Sequence, residues 1–469
     1  VTDPVVIHWF RRDLRLTDNL ALHAALSSGS RVVSLFILDP AILNSPRTGT
    51  PRLAFLFNAL AALDKSLRQR GSRLLLRQGD PKTVLPALAH ELNARAVYFN
   101  RDYSPFARQR DEAVQKALPI PVFGFDDALL RAPDQVLKDD GTPYTVYTPF
   151  QKRWRALSDP LPPLNPAQGV FAPLDDIPEP QADLAVASPV FLPGATENAA
   201  HALLARFVAG PIYAYDTARH RLSGDPFSGE EPQTTSGLSP YLRVGLLSPR
   251  QAYWAAYSAS SADPNEAARR SVTTWINELI WREFYMHILV HFPHVDRANF
   301  RPEYDDVLWR NAPDDLRAWQ TGMTGYPVVD AAMRQLVQTG WMPNRARMIV
   351  ASFLTKDLLI HWQEGERFFM QWLIDGDPAA NNGGWQWTAG TGTDAQPYFR
   401  IFHPVLQSQK YNPDGTYIRR WVPELREVPG QFIHAPWQMD HPPAHYPPPI
   451  LDHAAARART LAAFQAIKR

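Results

Sequence analysis

Trp275, Glu278 and Trp281 recur at i, i+3 and i+6 within a helical pattern over residues 266–289, which sets a carboxylate between two indoles on one slowly drifting stripe. Such a stripe can hydrogen-bond a heterocycle while the indoles stack on it. An amphipathic face with Glu278 paired to Arg282 uses the same residues. Asn344, Arg347 and Met348 stand at i, i+3 and i+4, so amide, guanidinium and thioether share a second helix face. Asn344 after Pro343 also fits a capped helix start. Asp375 and Asp377, in IDGDP, are turn residues or partners for a cation. An Arg347–Asp375 pair would fix the polar edge of a planar ligand, and an ordinary salt bridge looks the same in sequence. Thr234, Thr235, Ser236, Gly237, Leu238, Ser239 and Pro240 offer hydroxyls and backbone amides before a helical start, suited to a phosphate or to simple capping.

Residues 381–400 read NNGGWQWTAGTGTDAQPYFR, nearly free of charge, and eleven of the fourteen tryptophans fall from Trp275 onward. Packing alone rarely needs so many large rings with polar handles. The region is either an aromatic core or a place where rings hold planar groups and carry electrons. Trp385 and Trp387 lie two apart, about 200° around a helix, so they serve different purposes. Gly390, Gly392 and Ala395 match G-x-G-x-x-A, but Trp-Gln-Trp precedes them where a strand should be and Pro397 follows, which argues against a dinucleotide loop. There is no H-E-x-x-H, Walker A loop or G-x-S-x-G.

The elements that must position these groups divide the chain. Strand patterns at 5–10, 31–38, 73–76, 96–100 and 120–123 alternate with helical patterns at 19–26, 52–70, 83–92 and 108–117. That alternation predicts an α/β domain with a doubly wound parallel sheet over 1–130. No G-x-G-x-x-G follows the first strand, where His8-Trp9-Phe10-Arg11-Arg12-Asp13 stands instead. Nine prolines between 160 and 193 predict an extended connector, placed at 131–195. A mainly α-helical domain is expected over 196–469, with helices near 199–208, 249–258, 266–289, 330–336, 344–362 and 364–374, and a short basic helix at 452–469 packed on the surface.

At 469 residues there is room for two or more cores. A net charge of +1 means that any nucleic-acid contact must come from a local patch. The absence of cysteine removes disulfides, thiol nucleophiles and Cys-based metal sites. With no leader pattern and no apolar run of membrane length, a soluble, cytoplasmic, monomeric protein without membrane or obligate protein partner is expected.

Taken in order, HWFRRDLR at 8–15, TSGLSPYL at 235–242, WINELIWREFY at 275–285, NRARM at 344–348, DGD at 375–377, NNGGWQW at 381–387 and WVPEL at 421–425 resemble the DNA photolyase/cryptochrome family over essentially the whole chain. Each block is weak alone; the series is specific. The resemblance implies that the helical domain holds FAD, with Tyr215, Arg219, Thr235, Ser236, Gly237, Leu238 and Ser239 along adenosine and phosphates and Trp275 nearby. Glu278, Arg347, Asp375 and Asp377 would also contact the cofactor, and Asn381 would face flavin N5.

Asn344 and Met348 stand where members that repair (6-4) photoproducts carry histidine, and Asn381 stands where plant-type cryptochromes carry Asp and animal-type ones Cys. The resemblance is therefore closest to class I cyclobutane pyrimidine dimer photolyases, and it implies light-driven repair by electron transfer from excited reduced FAD to a flipped-out dimer in UV-damaged DNA. Glu278 and Asn344 would bond the dimer's bases, and Trp281, Trp387 and Met348 would wall it. Trp385, Trp362 and Trp309 would form an electron relay outward from FAD. Arg219, Trp281, Arg282, Asn344, Arg345, Arg400, Gln407 and Lys410 would meet DNA. His403, in RIFHP, departs from the family's usual Asn. Asn100-Arg101-Asp102 replaces the Asn-Glu pair of folate-binding members, so a second, antenna chromophore of the 8-hydroxy-deazaflavin type is favoured over folate or FMN, near Arg11, Arg12, Asn100 and Asp102. The competing reading is a cryptochrome-like blue-light photoreceptor acting through a partner, whose long C-terminal extension is expected to be missing because the chain ends soon after Trp421. A flavin oxidoreductase using Gly390 and Gly392 comes third.

Overall fold

Runs of β-branched and aromatic residues near the N-terminus form five strands: β1 Val5–Phe10, β2 Arg31–Leu38, β3 Leu74–Gln78, β4 Ala94–Asn100 and β5 Val122–Phe125. All pair in parallel, in the order β3-β2-β1-β4-β5. Ile7 pairs with Val33 on one side and Val97 on the other, and β1 and β2 are buried almost throughout, as expected of a sheet covered on both faces. Helices α1 Leu20–Leu26, α2 Thr50–Arg68, α3 Pro81–Glu91 and α4 Pro105–Ala117 connect the strands. Their starts are chemically marked: the side chains of Asn19, Asp80 and Ser104 each accept a bond from a first-turn N–H, and proline occupies the first turn of α2, α3 and α4. The doubly wound α/β expectation is therefore met.

The computed structural model describes residues 4–179, 186–227, 233–262 and 265–467. Further along lie α5 Tyr147–Ala156, α6 Glu197–Val208, α7 Pro249–Ala262, α8 Glu266–His291, α9 Pro313–Thr321, α10 Pro327–Thr339, α11 Asn344–Ser352, α12 Trp362–Trp372, α13 Pro378–Ala389, α14 Pro404–Tyr411 and α15 His453–Ala466. The expected connector is not extended throughout, since α5 occupies part of it. From 157 to 179 its regular structure is a bridge from Phe171 to Val32 and a short turn at Leu174–Asp176, as its prolines dictate. Pro180 and the residues to 185 lie outside the described residues.

Packing groups the chain differently from composition. One compact unit comprises 1–188, 192–213 and 237–291; the other comprises 189–191, 214–236 and 292–469. The sheet and α1–α8 thus belong to the first unit, and α9–α15 to the second. In the first unit, a buried ion cluster joins Arg15 to Asp127 and Arg250 to both Asp127 (2.7 Å) and Asp18 (3.1 Å). Removing one member would strand the others' charge.

The second unit is built around Trp319, Trp362, Trp385, Phe353, Phe369, Leu336 and Ile418, all nearly or fully buried. One helix expected over 344–362 is in fact broken. After α11 the chain winds one π-type turn at Phe353–Asp357, and Leu359 then takes φ +53, so α12 starts afresh at Trp362. Neither proline nor glycine marks this break. The C-terminal helix is also no surface ornament. Phe464 of α15 is fully buried, stacked on Tyr398 at 5.4 Å and tilted against Tyr304 at 5.9 Å.

Candidate active site

In the second unit, α11, the turn after α12 and the first half of α13 bring together the groups that sequence spacing singled out. Arg347 makes a two-pronged ion pair with Asp375, Nη1 to Oδ1 at 3.2 Å and Nη2 to Oδ2 at 2.8 Å, while its Nε donates to the Met342 carbonyl at 3.1 Å. The fork fixes the guanidinium plane, which a lysine could not do. Asp375 is buried and the Arg347 side chain is a quarter exposed, so one edge of the pair remains accessible. Asp377 caps α13, its Oδ1 accepting from the N–H groups of Ala379 and Ala380.

One turn into α13, the Asn381 side chain donates from Nδ2 to the Glu366 carbonyl at 3.0 Å. A carbonyl can only accept, so the amide orientation is fixed with Oδ1 turned away as a neutral acceptor. Trp385, at 2% exposed, tucks against Gly365 of α12 and meets Phe369 (5.0 Å, 74°) and Trp319 (6.1 Å, 71°) edge to face. Its indole N–H is buried with no hydrogen-bond partner among the described residues. Trp387, on the other side of the helix, is half-buried. Gly384 lies between them, and a Cβ added there would meet nothing within 4 Å. An orphaned indole donor, a free amide oxygen, an open strip along α13 and a fixed guanidinium edge suit a flat polar ring system such as a flavin.

Residues that sequence reasoning missed hold α13 in place. Gln386 accepts from the Phe300 N–H at 2.8 Å and donates to the carbonyls of Val295 and Ala298, and Asn382 donates to Val295 O at 2.8 Å. The loop of Gly390 and Gly392 follows this helix, not a strand: the N–H groups of Gly390, Thr391 and Gly392 all turn back to the Gln386 carbonyl. It is a helix terminus with Gly390 at φ +82, and the dinucleotide-loop geometry is absent.

Basic residues also gather in this unit. Arg345 donates to His220 at 2.9 Å and lies over the Tyr411 ring at 4.3 Å, with Lys410 over the same ring at 5.3 Å. Burial, followed by the nearby Arg345, Arg219 and Lys410 cations, holds the His220 pKa below its ordinary value. Burial lowers Arg345 as well, and Arg219 and Arg400 push in the same direction. The expected Arg219, Arg345, Arg400 and Lys410 therefore share one electropositive neighbourhood, and His220 joins it without a sequence signal. Arg219 also lies 5.3 Å over the buried Tyr215 ring. Gln407 sits one turn into α14, its backbone N–H bonded to the His403 carbonyl. The His403 ring lies 4.3 Å from His453, which bonds Asp357 at 2.6 Å. His403 is thus tied to the buried π-turn behind α11. Thr234 is buried and donates to Ser223 O at 3.3 Å, Ser236 is buried, and Thr235 is half-buried.

In the first unit, Gly237 takes φ +67 and leads to Leu238, which is buried, and Ser239, which opens a six-residue helix and is exposed. Trp275 of α8 is buried against Phe207 at 5.5 Å, while Glu278 and Trp281 are half-buried. The Trp281 indole is stacked on Tyr147 of α5 at 3.5 Å and 7°, and the Tyr147 hydroxyl donates to Asn277 O at 3.1 Å. One face of the indole is thereby fixed, a contact across 134 positions that no local pattern announces. Arg282 donates to Ala128 O at 2.7 Å. Its neighbour Glu283 is fully buried and accepts from Trp154 Nε1 at 2.6 Å and from the Leu130 N–H. Burial pushes its carboxyl up to about 7 even though both donors and Arg282 favour the anion.

At the carboxyl ends of β1 and β4, where strand order reverses and doubly wound sheets take ligands, Arg11 is 8% exposed. It bonds Asp111 and the Asn100 carbonyl and is sandwiched between Trp9 (4.7 Å) and Phe99 (4.4 Å). The Asn100 amide donates to Asp13 (2.6 Å) and Asn19 (2.8 Å). Two of the four residues expected near an antenna, Arg11 and Asn100, are thus also engaged in internal contacts. Arg12 and Asp102 form a partly buried pair at 3.2 Å, with Arg12 Nε donating to Arg243 O. Among the described residues no His, Asp and Glu group could hold a metal ion, and no helix is long and apolar enough to cross a membrane.

Comparison with known proteins places these features in a lineage. Residues 6–167 match the DNA photolyase model and residues 275–466 the model described as the FAD binding domain of DNA photolyase. The chain is 43% identical over 486 residues to a deoxyribodipyrimidine photo-lyase of Synechococcus sp., covering 99% of this chain and 97% of that one. It is similar to the crystal structure of a bacterial class III photolyase from Agrobacterium tumefaciens, with TM-score 0.91 and 38% identity over 100% of this chain and 98% of the other. It is also similar to an archaeal photolyase from Sulfolobus tokodaii with two FAD molecules, with TM-score 0.83 and 32% identity over 98% of this chain and all of the other. With two family models spanning both of its halves and a relative this similar along its entire length, the chain belongs to the DNA photolyase family.

Proposed function

We propose that this chain repairs cyclobutane pyrimidine dimers in DNA under blue light, as a deoxyribodipyrimidine photolyase that uses FAD. The observation that carries the reading is the Asn381 amide, locked by the Glu366 carbonyl so that a neutral oxygen acceptor faces away from its anchor. An amide there can accept from an N–H of a reduced ring and has no carboxyl proton to give. Bound and reduced, FAD supplies the photoexcited electron and takes it back once the dimer has split. The protein's own contribution is positional. Arg347 and Asp375 orient the ring edge, while Tyr215, Arg219, Thr235, Ser236, Gly237, Leu238, Ser239, Trp275 and Asp377 hold the remainder of the cofactor.

Glu278 and Asn344 bond the dimer's base edges, and Trp281, Trp387 and Met348 exclude water from around it. The stack on Tyr147 supports Trp281 as a rigid wall. Extruding the target base from the duplex is a strategy that photolyases share with glycosylases and methyltransferases, and for a damaged, weakly stacked pair it costs only a few kcal/mol. Arg219, Arg345, Arg400, Gln407 and Lys410, with Arg282, hold phosphates without reading sequence. Asn344 and Met348, where members that repair (6-4) photoproducts carry histidine, support a reading closest to the class I enzymes. An antenna of the deazaflavin type would rest near Arg11, Arg12, Asn100 and Asp102, at the carboxyl ends of β1 and β4.

Purified protein prereduced in the presence of FAD should restore monomeric thymine absorbance in dimer-containing oligonucleotides under blue light, and do nothing in the dark. Tight FAD binding without light-dependent dimer loss would reject repair and favour the photoreceptor reading. Dark NADH turnover would favour an oxidoreductase.

A further inference from the structure

We infer that the His361 imidazole is the bridge over which the outermost electron hop of this protein passes, from Trp309 to Trp362. The inference rests on the relay reading of Trp385, Trp362 and Trp309, and adds a residue to it. Trp362 is fully buried, its N–H donating to Asn299 Oδ1 at 2.8 Å, while Trp309 is half-buried. Among the described residues no ring contact joins these two indoles directly. The His361 ring touches both, 5.6 Å and 28° from Trp362 and 5.2 Å and 66° from Trp309. Electronic coupling falls steeply across saturated or empty space and less steeply across touching π systems, so the imidazole offers the better conducting path.

Its place is fixed by the chain break that sequence periodicity did not announce. Leu359 at φ +53 turns the backbone out of the π-turn, and Arg310, next to Trp309, clamps that turn through its N–H to Leu359 O (2.8 Å) and Nη1 to Leu358 O (3.0 Å). His361 then caps α12, Nδ1 accepting from the Gln363 N–H at 3.2 Å. Burial lowers its pKa, with Glu364 and Asp305 pulling the other way and Arg367 adding to the lowering. A neutral ring puts no cation beside the passing positive charge. In the hop, a Trp362 indole one electron short regains one electron from Trp309, His361 ends unchanged, and the oxidised Trp309 releases its indole proton to water.

The cap and the bridge are separable by substitution in the FAD-loaded full chain. His361→Asn keeps a good capping acceptor and removes the ring; His361→Phe keeps a ring and removes the cap. The readout is the yield and rise time of the tryptophan radical absorbance after a blue flash on oxidised protein, with dimer repair by prereduced protein as the control. The expected result is a several-fold loss of radical yield in His361→Asn, a yield close to the parent in His361→Phe, and intact repair in both. An unchanged yield in His361→Asn, or equal losses in the two variants, would overturn the bridge. Trp309→Phe is run beside them: if it too leaves the radical and photoreduction intact, the relay reading itself fails, a result distinguishable from failure of His361 alone.

Discussion

Gly365→Ala tests whether Trp385 is held as tightly as the packing suggests, because two opposing effects of known size meet at one atom. Replacing a helix-interior glycine with alanine ordinarily stabilises by roughly 0.5–1 kcal/mol through backbone entropy. Here a Cβ would stand 2.5 Å from both Cζ2 and Cζ3 of Trp385 and closer still to Cη2. Carbon atoms rest at about 3.5–4.0 Å, so the indole would have to retreat by roughly 1 Å. It has nowhere to go: Trp385 is 2% exposed, with Phe369 and Trp319 against it. Overpacking of this kind costs about 1–3 kcal/mol, which exceeds the helical gain. The variant should therefore lose about 0–2.5 kcal/mol net, and its FAD affinity should fall because the strip beside Asn381 is displaced. Gly384→Ala is the counterpart. With nothing within 4 Å of the added methyl, the FAD-free protein should gain up to about 1 kcal/mol, while FAD retention drops. Urea unfolding of the FAD-free proteins and flavin fluorescence titration measure both quantities. A Gly365→Ala protein clearly more stable than the parent, or a Gly384→Ala protein that binds FAD as well as the parent, would refute the packing argument and the placement of the ring along α13 respectively.

Glu278→Ala should reduce the quantum yield of repair more than it reduces affinity for dimer-containing DNA, as measured by photon-counted repair beside a binding titration. Arg347→Lys loses the two-pronged geometry with Asp375, and the FAD dissociation constant should rise by about tenfold, close to 1.4 kcal/mol, in a flavin titration. Binding to undamaged DNA should weaken linearly in log salt, and Arg345→Ala should shallow that slope by about one phosphate contact; a salt-insensitive constant would contradict the basic neighbourhood of Arg219, Arg345, Arg400 and Lys410. Lys356 is buried with its Nζ on Ala389 O at 2.6 Å, and burial brings its pKa down from 10.5 to about 7. A base lowered by folding contributes stability that is complete above pH 10.5 and is lost as pH falls towards 7. Relative to Lys356→Met the parent should therefore weaken across that window, by at most about 4–5 kcal/mol and less where the α13 carboxyl end and the Phe464 ring favour the cation. A pH-independent difference in chemical denaturation would remove this account.

Legibility followed the range of the interaction. The strands were readable because β-branched runs alternate with capped helices over short distances, and Asn19, Asp80 and Ser104 mark their helix starts in the sequence itself. The Arg347–Asp375 pair was readable as a possibility, since guanidinium and carboxylate recur in blocks whose order is specific. What escaped was set by partners far along the chain. Trp281 against Tyr147, Glu283 against Trp154 and the Asn381 amide against the Glu366 carbonyl are tertiary pairings that leave no local periodicity. The break between α11 and α12 escaped because its cause is not a proline or glycine. Lys356 and Asp357 are drawn inward to Ala389 O and His453, and a π-turn absorbs the extra residue that this requires. Likewise the bonds of Arg11 and Asn100 to the buried Asp111, Asp13 and Asn19 at the strand ends run between distant segments and leave no local signal.

The physical economy of the site is clearest in α13, where a 100° step per residue divides one helix into three sectors. Asn382 and Gln386 form the anchoring sector, and it is polar: five hydrogen bonds to Val295, Ala298, Phe300 and each other hold it. Bonds of this kind are directional, so they fix rotation about the helix axis more closely than apolar packing would. With rotation fixed, the second sector, Asn381, Gly384 and Trp385, can present an amide oxygen, bare backbone and an indole in constant register, and the third can leave Trp387 half-buried. A helix held by a greasy face would have had to spend its tryptophans on its own docking. Anchoring through amides releases them, which is why this segment can be dense in tryptophan and yet place its two indoles on opposite sides of the helix.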